Sequence, residues 1–171
     1  NVMSRTLSAV AHEVRGELVG DDIEFGAVSI DSRELESGSL FIAISGEQFD
    51  GNDFLADAHL KGAAGAVVSR LVSVPLPQVK VGDTRGAFGQ IAHAWRKNFP
   101  MPVVAVTGSN GKTTVKELIA SILGSGRKIC VTRGNLNNDI GVPLTLMNLR
   151  ETHEALVIEL GGNHPGEIDY L

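Results

Sequence analysis

One cysteine, Cys130, stands in 171 residues, so neither an intrachain disulfide nor a cysteine metal cluster is open to this sequence. Aromatic residues are few, with one Trp, one Tyr and six Phe. No apolar stretch approaches the roughly 18 residues of a membrane-spanning helix, and the first residues do not read as a secretory leader. A soluble cytoplasmic protein without membrane insertion is therefore expected. Runs of Lys or Arg are also missing, and 15 basic against 20 acidic side chains leave a formal charge of −5. Nucleic-acid surfaces need clustered cations to displace counterions, so no nucleic-acid partner is expected.

Glycine, in contrast, is plentiful at 20 residues. It falls between short apolar runs, which suits an α/β chain with many tight strand-to-helix turns. Thr6 can cap a helix that carries Leu7, Val10, Ala11 and Val14 on one face. Strand-like pieces follow at Gly16 to Gly20, Phe25 to Ile30 and Leu40 to Ser45. A helix is expected over Asn52 to Gly65, strands at Ala66 to Ser69 and Gln78 to Val81, and a helix started by Asp83 or Thr84. Trp95 and Cys130 read as core.

Pro100-Met101-Pro102 cannot continue a helix and favours an extended connector, which places a domain break between 1–99 and 103–171. Beyond it, Val103 to Val106 is an all-apolar run of the kind found in a parallel strand buried on both faces. A helix over Val115 to Leu123, a strand at Lys128 to Thr132, a helix near Pro143 to Leu149 and a strand at Ala155 to Leu160 complete a strand–helix alternation. That order implies a parallel sheet with right-handed crossovers. The expected fold is α/β, a small N-terminal α/β domain followed by the first part of a phosphate-loop parallel-sheet ATPase domain. Three strands leave an open sheet with an unpaired edge, so the 171 residues are expected to be part of a longer protein.

The segment Thr107-Gly108-Ser109-Asn110-Gly111-Lys112-Thr113-Thr114 joins the apolar strand to the following helix. Unpaired backbone N–H groups and the helix dipole converge there on one point, which makes an anion site. Lys112 would reach the β and γ phosphates of ATP, and the Thr113 hydroxyl would ligate Mg²⁺. The common pattern places its first glycine at position 106, which here is Val106; the glycine at Gly108 gives a shorter loop.

Glu159 falls at the C-terminal end of an apolar strand, where open α/β sheets bind ligands. From position alone it is either a metal ligand or a salt-bridged strand-end carboxylate. Asn137, Asn138 and Asp139 lie on a loop at the same sheet edge and serve either turn chemistry or substrate contact. Asn163 carries the same two readings, and His164 could bind substrate, cap the next helix or face water. His12, His59, His93 and His153 have no metal-type spacing.

The loop Thr-Gly-Ser-Asn-Gly-Lys-Thr-Thr resembles the ATP loop of the Mur ligase superfamily. Asp31-Ser32-Arg33, Gly38-Ser39-Leu40-Phe41-Ile42-Ala43, Phe49-Asp50-Gly51 and Gly62-Ala63 are similar to its N-terminal UDP-sugar domain. The run from Gly134 to Pro143 and the run from Glu159 to Ile168 resemble its central domain. This resemblance implies an ATP- and Mg²⁺-dependent ligase of cytoplasmic peptidoglycan precursor synthesis, working as a monomer. It would join D-Ala-D-Ala to UDP-MurNAc-tripeptide through an acyl phosphate. Two alternatives are a ligase that adds the third peptide residue and a non-catalytic nucleotide-binding module.

By the same resemblance Lys112 and Glu159 are the catalytic residues, with Thr113 and Glu159 on the metal. Gly108, Ser109, Asn110, Gly111, Lys112, Thr113 and Thr114 would hold the nucleotide. Substrate contacts would come from Ile30, Ser32, Gly46, Glu47, Gln48 and Phe49 at the UDP end, and from Asn137, Asn138, Asp139, Asn163 and His164. Asp31 and Arg33 read as a structural pair holding their loop. The family's later histidine, carbamylated lysine and third domain have no counterpart in these residues, so activity of the 171-residue chain alone is not expected.

Overall fold

Thr6 opens the first helix as its sequence suggests, its side-chain oxygen accepting from the Ala9 N–H. In the computed structural model, which describes residues 5–171, strand β1 (Arg5–Thr6) runs into helix α1 (Leu7–Val14). Residues 1–4 of the expected 1–99 domain lie outside the described residues. The chain divides into two units, one ending at Ile91 and one running from Ala92 to Leu171.

In the first unit, β2 (Glu17–Val19), β3 (Glu24–Phe25) and β4 (Ala27–Ser29) precede β5 (Ser39–Ile42). A 3-10 turn (Gly51–Phe54) leads into α2 (Leu55–Leu60), followed by β6 (Gly65–Val68), β7 (Gln78–Lys80) and α3 (Thr84–Arg96). Asp83 starts α3, accepting from the Arg85 N–H at 3.0 Å. The expected strand at Phe25 to Ile30 is two pieces: β3 pairs with β1, and β4 joins a sheet of order β2-β7-β6-β5-β4. Its four strands β4 to β7 run parallel, with β2 antiparallel at the β7 edge. Every residue of β5 and β6 is buried, as apolar strands covered on both faces require. Phe41, Leu55, Ala58, Ala66 and Val68 form one core here.

The second unit contains β8 (Val103–Val106), α4 (Lys112–Leu123), β9 (Ile129–Val131), α5 (Gly141–Met147), β10 (Ala155–Glu159) and α6 (Glu167–Tyr170). All pairings are parallel in the order β8-β10-β9, so the last strand in sequence is the central one and is buried throughout. The sequence expectation fails at β8. Among the described residues it pairs only with β10, and Val103 is 40% exposed. An apolar run identifies a strand but not the number of its neighbours. Val115, Leu118 and Ile122 of α4 are also exposed. The unit's core gathers Trp95, Phe99, Leu149, Leu156 and Ile158, with the Trp95 Nε1–H donating to the Leu149 carbonyl at 3.3 Å. The division therefore runs through α3, ahead of Pro100. No helix among the described residues is long and apolar enough to cross a membrane.

A polar clasp joins the ends of β5 and β6. Asp50 Oδ1 accepts from the Asn52 N–H at 3.0 Å, Asn52 Nδ2 at 2.6 Å and Ser45 Oγ at 2.9 Å. Asn52, fully enclosed, donates to Ser69 Oγ at 2.8 Å and accepts from the Ser69 N–H at 3.2 Å. These donors, the Asn52 backbone N–H foremost, hold the Asp50 carboxyl down to about 2. A depressed folded value means stabilisation that is present above the ordinary carboxylate range and is lost as pH falls from about 4 to about 2. Asp50→Asn should accordingly be less stable than the unmodified chain in urea titrations at pH 6, with the gap narrowing as pH falls from about 4 towards about 2. A gap that stays constant across that window contradicts this role.

Candidate active site

Strand β8 delivers the chain to the 107–114 loop at its C-terminal end. Gly111, in the left-handed region at φ 74°, makes the turn into α4, and Gly108 has φ 143°. Both angles are strained for a residue with a Cβ. No side chain caps the start of α4, so its first N–H groups are left for an anion. Ser109, Asn110 and Thr114 are exposed around this turn. Lys112 bridges it, its ammonium donating to the Gly108 carbonyl at 2.7 Å.

Glu159 is enclosed at the end of β10, only 1% exposed. Thr113, 46 residues earlier in the chain, donates its hydroxyl towards Oε1 and Oε2, at 3.2 and 3.1 Å. Asn137 Nδ2 donates to Oε1 at 2.8 Å, and the Glu159 N–H donates to the Thr132 hydroxyl at 2.9 Å. A buried carboxylate is costly unless partnered, and these donors partner it. Thr113 and Glu159 together offer hard oxygen ligands of the type Mg²⁺ prefers. No group of three or more His, Cys, Asp or Glu among the described residues could hold a metal by itself. The donor set thus suits an ion that takes its remaining ligands from phosphate and water.

The loop after β9 divides its polar residues between tasks. The Asn137 side chain is turned onto Glu159, while Asn138 Oδ1 accepts from the Ile140 and Gly141 N–H groups at 3.2 and 2.8 Å, a local turn. Asn138 and Asp139 also line a cleft of about 430 Å³ with Lys112, Asn137, Gly161, Gly162, Asn163 and Glu167. Gly161 permits the close packing, because a Cβ there would stand 2.5 Å from Asn137 Oδ1. Asn163 lies on the cleft wall, and His164 is held by Glu167, with Nδ1 2.9 Å from Oε1. Glu167 also accepts from the Asn163 and His164 N–H groups. These contacts, the Asn163 N–H first, lower its pKa.

Three residues of this region are not singled out as site residues by the sequence. Thr132, Lys116 and Glu167 become informative only when β9, α4 and the last segment are brought together. For Lys116 a signal did exist. It sits three residues after Thr113 and four after Lys112, so all three lie along one side of the helix start.

In the first unit, Ile30, Ser32 and Phe49 line a separate pocket of about 480 Å³ with Phe41, Ile44, Gly51 and Phe54. Ser32 is buried, whereas Phe49 and Phe54 expose 55% and 40%. Gly46, Glu47 and Gln48 form the turn that presents Phe49, closed by the Gly46 N–H on the Phe49 carbonyl at 2.9 Å. Arg33 forks onto Asp31, with Nε to Oδ1 at 3.0 Å and Nη2 to Oδ2 at 2.7 Å. The hydrogen bonds from Arg33 hold the Asp31 carboxyl at about 2.

Comparison with known proteins matches both units. The pattern described as Mur ligase family, catalytic domain, covers residues 24–96, and that described as Mur ligase middle domain covers 106–171. The UDP-N-acetylmuramoyl-tripeptide–D-alanyl-D-alanine ligase of Escherichia coli K12 is 50% identical over 167 residues, 98% of this chain and 37% of that relative. A crystal structure of MurF from Acinetobacter baumannii superposes with a TM-score of 0.91 at 40% identity, over 99% of this chain and 38% of that one. MurF from Thermotoga maritima, in complex with ADP, gives 0.76 at 34% identity, over 84% of this chain and 34% of that one. The chain thus spans little more than a third of the length of these relatives, and over that span it belongs to the Mur ligase family.

Proposed function

We propose that this chain is the nucleotide- and UDP-substrate-binding portion of a cytoplasmic, monomeric ligase of peptidoglycan precursor synthesis, which joins D-Ala-D-Ala to UDP-MurNAc-tripeptide. The observation that carries the reading is the placement of Thr113 and Lys112, at the start of α4, beside the enclosed carboxylate of Glu159 and an open polar cleft. The activity of the relatives, UDP-N-acetylmuramoyl-tripeptide–D-alanyl-D-alanine ligases, agrees with it.

A carboxylate is a poor acyl donor, because its charge repels nucleophiles and oxide is a bad leaving group. Bound MgATP would supply the phosphoryl group that converts it into an acyl phosphate, with ADP as the leaving group. In this chain the uncapped start of α4 and the loop N–H groups would bind the phosphates. Lys112 would swing from the Gly108 carbonyl onto the terminal phosphate and offset the charge that develops there. Thr113 and Glu159 would hold the ion, and Asn137 would keep Oε1 of Glu159 oriented. Asn138, Asp139 and Asn163, which line the cleft, and the neighbouring His164 would contact the acyl end of the substrate and the incoming amine. In the first unit, the exposed Phe49 ring beside Ile30 and Ser32 suits a nucleobase, and the turn of Gly46, Glu47 and Gln48 would close over it.

In a ligase of the relatives' length that carries this segment, Lys112→Ala should lower kcat by about 10²- to 10³-fold. Turnover within a few fold of the unmodified enzyme contradicts the loop assignment. Glu159→Gln should raise the Mg²⁺ concentration for half-maximal rate by about tenfold or more; an unchanged profile returns Glu159 to a structural role. Phe49→Ala should weaken UDP binding to this chain by about 1–3 kcal/mol in calorimetric titrations, and an unaltered affinity places the base elsewhere. Preference for a diamino acid over D-Ala-D-Ala as acceptor would overturn the substrate assignment.

A further inference from the structure

Among the described residues, the charged side chains that are buried number two, Lys116 and Glu159. They are neighbours, with Lys116 Nζ 3.9 Å from Glu159 Oε2. An ammonium has three N–H donors. Those of Lys116 find the Thr132 carbonyl at 2.9 Å, the Gly134 carbonyl at 2.6 Å and Glu117 Oε1 at 2.9 Å. Its donors are thus matched without Glu159, which meets Lys116 as a charge and keeps its oxygens for Thr113 and Asn137.

The same contacts join three elements. Lys116 ties α4 to the chain leaving β9, Thr132 receives the Glu159 N–H on its hydroxyl, and the Asn137 carbonyl accepts from the Gly161 N–H at 2.8 Å. An apolar side chain at 116 could fill the space. It could not hold two carbonyls of the loop that carries Asn137, nor face Glu159 with a positive charge.

We propose that Lys116 is a positioning residue, which fixes the 132–139 segment and Glu159 so that Thr113, Asn137 and the carboxylate present one arrangement to a divalent ion. The functional part of this inference rests on the reading of Glu159 as an ion ligand. Lys116 is fully enclosed, so it would act through Glu159 and Asn137 rather than on a ligand.

Two readouts on this chain test it, one made without any ligand. Amide hydrogen exchange compares Gly161, whose N–H reports the Asn137 contact, with Leu156, whose N–H bonds the Pro102 carbonyl inside the sheet. Mn²⁺ titration in the presence of ADP, followed by water-proton relaxation, reports the ion. In Lys116→Met, exchange at Gly161 should quicken about tenfold with Leu156 little changed, and the Mn²⁺ midpoint should rise about tenfold. Lys116→Gln, which retains donors but no charge, should fall between Met and the unmodified chain, and it decides the matter by the same readouts if Lys116→Met does not fold. Equal acceleration at Gly161 and Leu156 with an unmoved Mn²⁺ midpoint, or no change in either, overturns the proposal. Glu159→Gln separates the two readings: if it leaves the Mn²⁺ midpoint unchanged, the ion assignment fails, while the exchange at Gly161 still decides whether Lys116 positions the loop.

Discussion

A carboxylate enclosed at the end of the central strand is the constraint around which the second unit is arranged. Glu159 is buried because β10 lies between β8 and β9. Carrying its charge there requires donors from the start of α4 and from the loop after β9. Removing one partner from a buried charge pair typically costs about 3–5 kcal/mol. The glycine at 161 follows from that need, because it leaves room for the Asn137 side chain on Glu159, and Lys116 faces the carboxylate with a positive charge at 3.9 Å. The 107–114 loop is tied to the same carboxylate through Thr113.

This arrangement also explains why the site is chemically economical. As proposed, the ion would meet few protein ligands, all of them oxygens, and would complete its coordination with phosphate and water. In the proposed reading the opening turn of α4 would carry three separate duties on adjacent residues: backbone N–H groups for an anion, Lys112 for phosphate charge, and Thr113 for the ion. Lys116, one turn further, faces inward and supports them. In the first unit a parallel sheet plays the corresponding role, with the Asp50 and Asn52 clasp holding the turn that presents Phe49 at the pocket.

Much of this was legible in the residues. The strand, glycine turn, Lys-Thr and helix around 107–114 appear together in the structure, as do the parallel strands at 66–68 and 155–159. What was not legible concerns neighbours across the chain. Val103 to Val106 reads as a doubly buried strand, yet its exposure depends on how many strands flank it, which no local pattern encodes. Asn137 and Asn138 look equivalent in sequence, but one is turned onto Glu159 and the other onto its own loop, a split set by the position of β10. Lys116 belongs to no site motif, and its enclosure appears only once α4 is packed across the sheet.

The most direct test of the account is a crystal structure of this chain grown with Mn²⁺ and a non-hydrolysable ATP analogue, with the ion located by anomalous scattering. The account predicts triphosphate over residues 108–113, Lys112 released from the Gly108 carbonyl, and the ion ligated by the Thr113 hydroxyl and supported by Glu159. An ion held away from both residues, or a nucleotide bound with Lys112 still on Gly108, would contradict it.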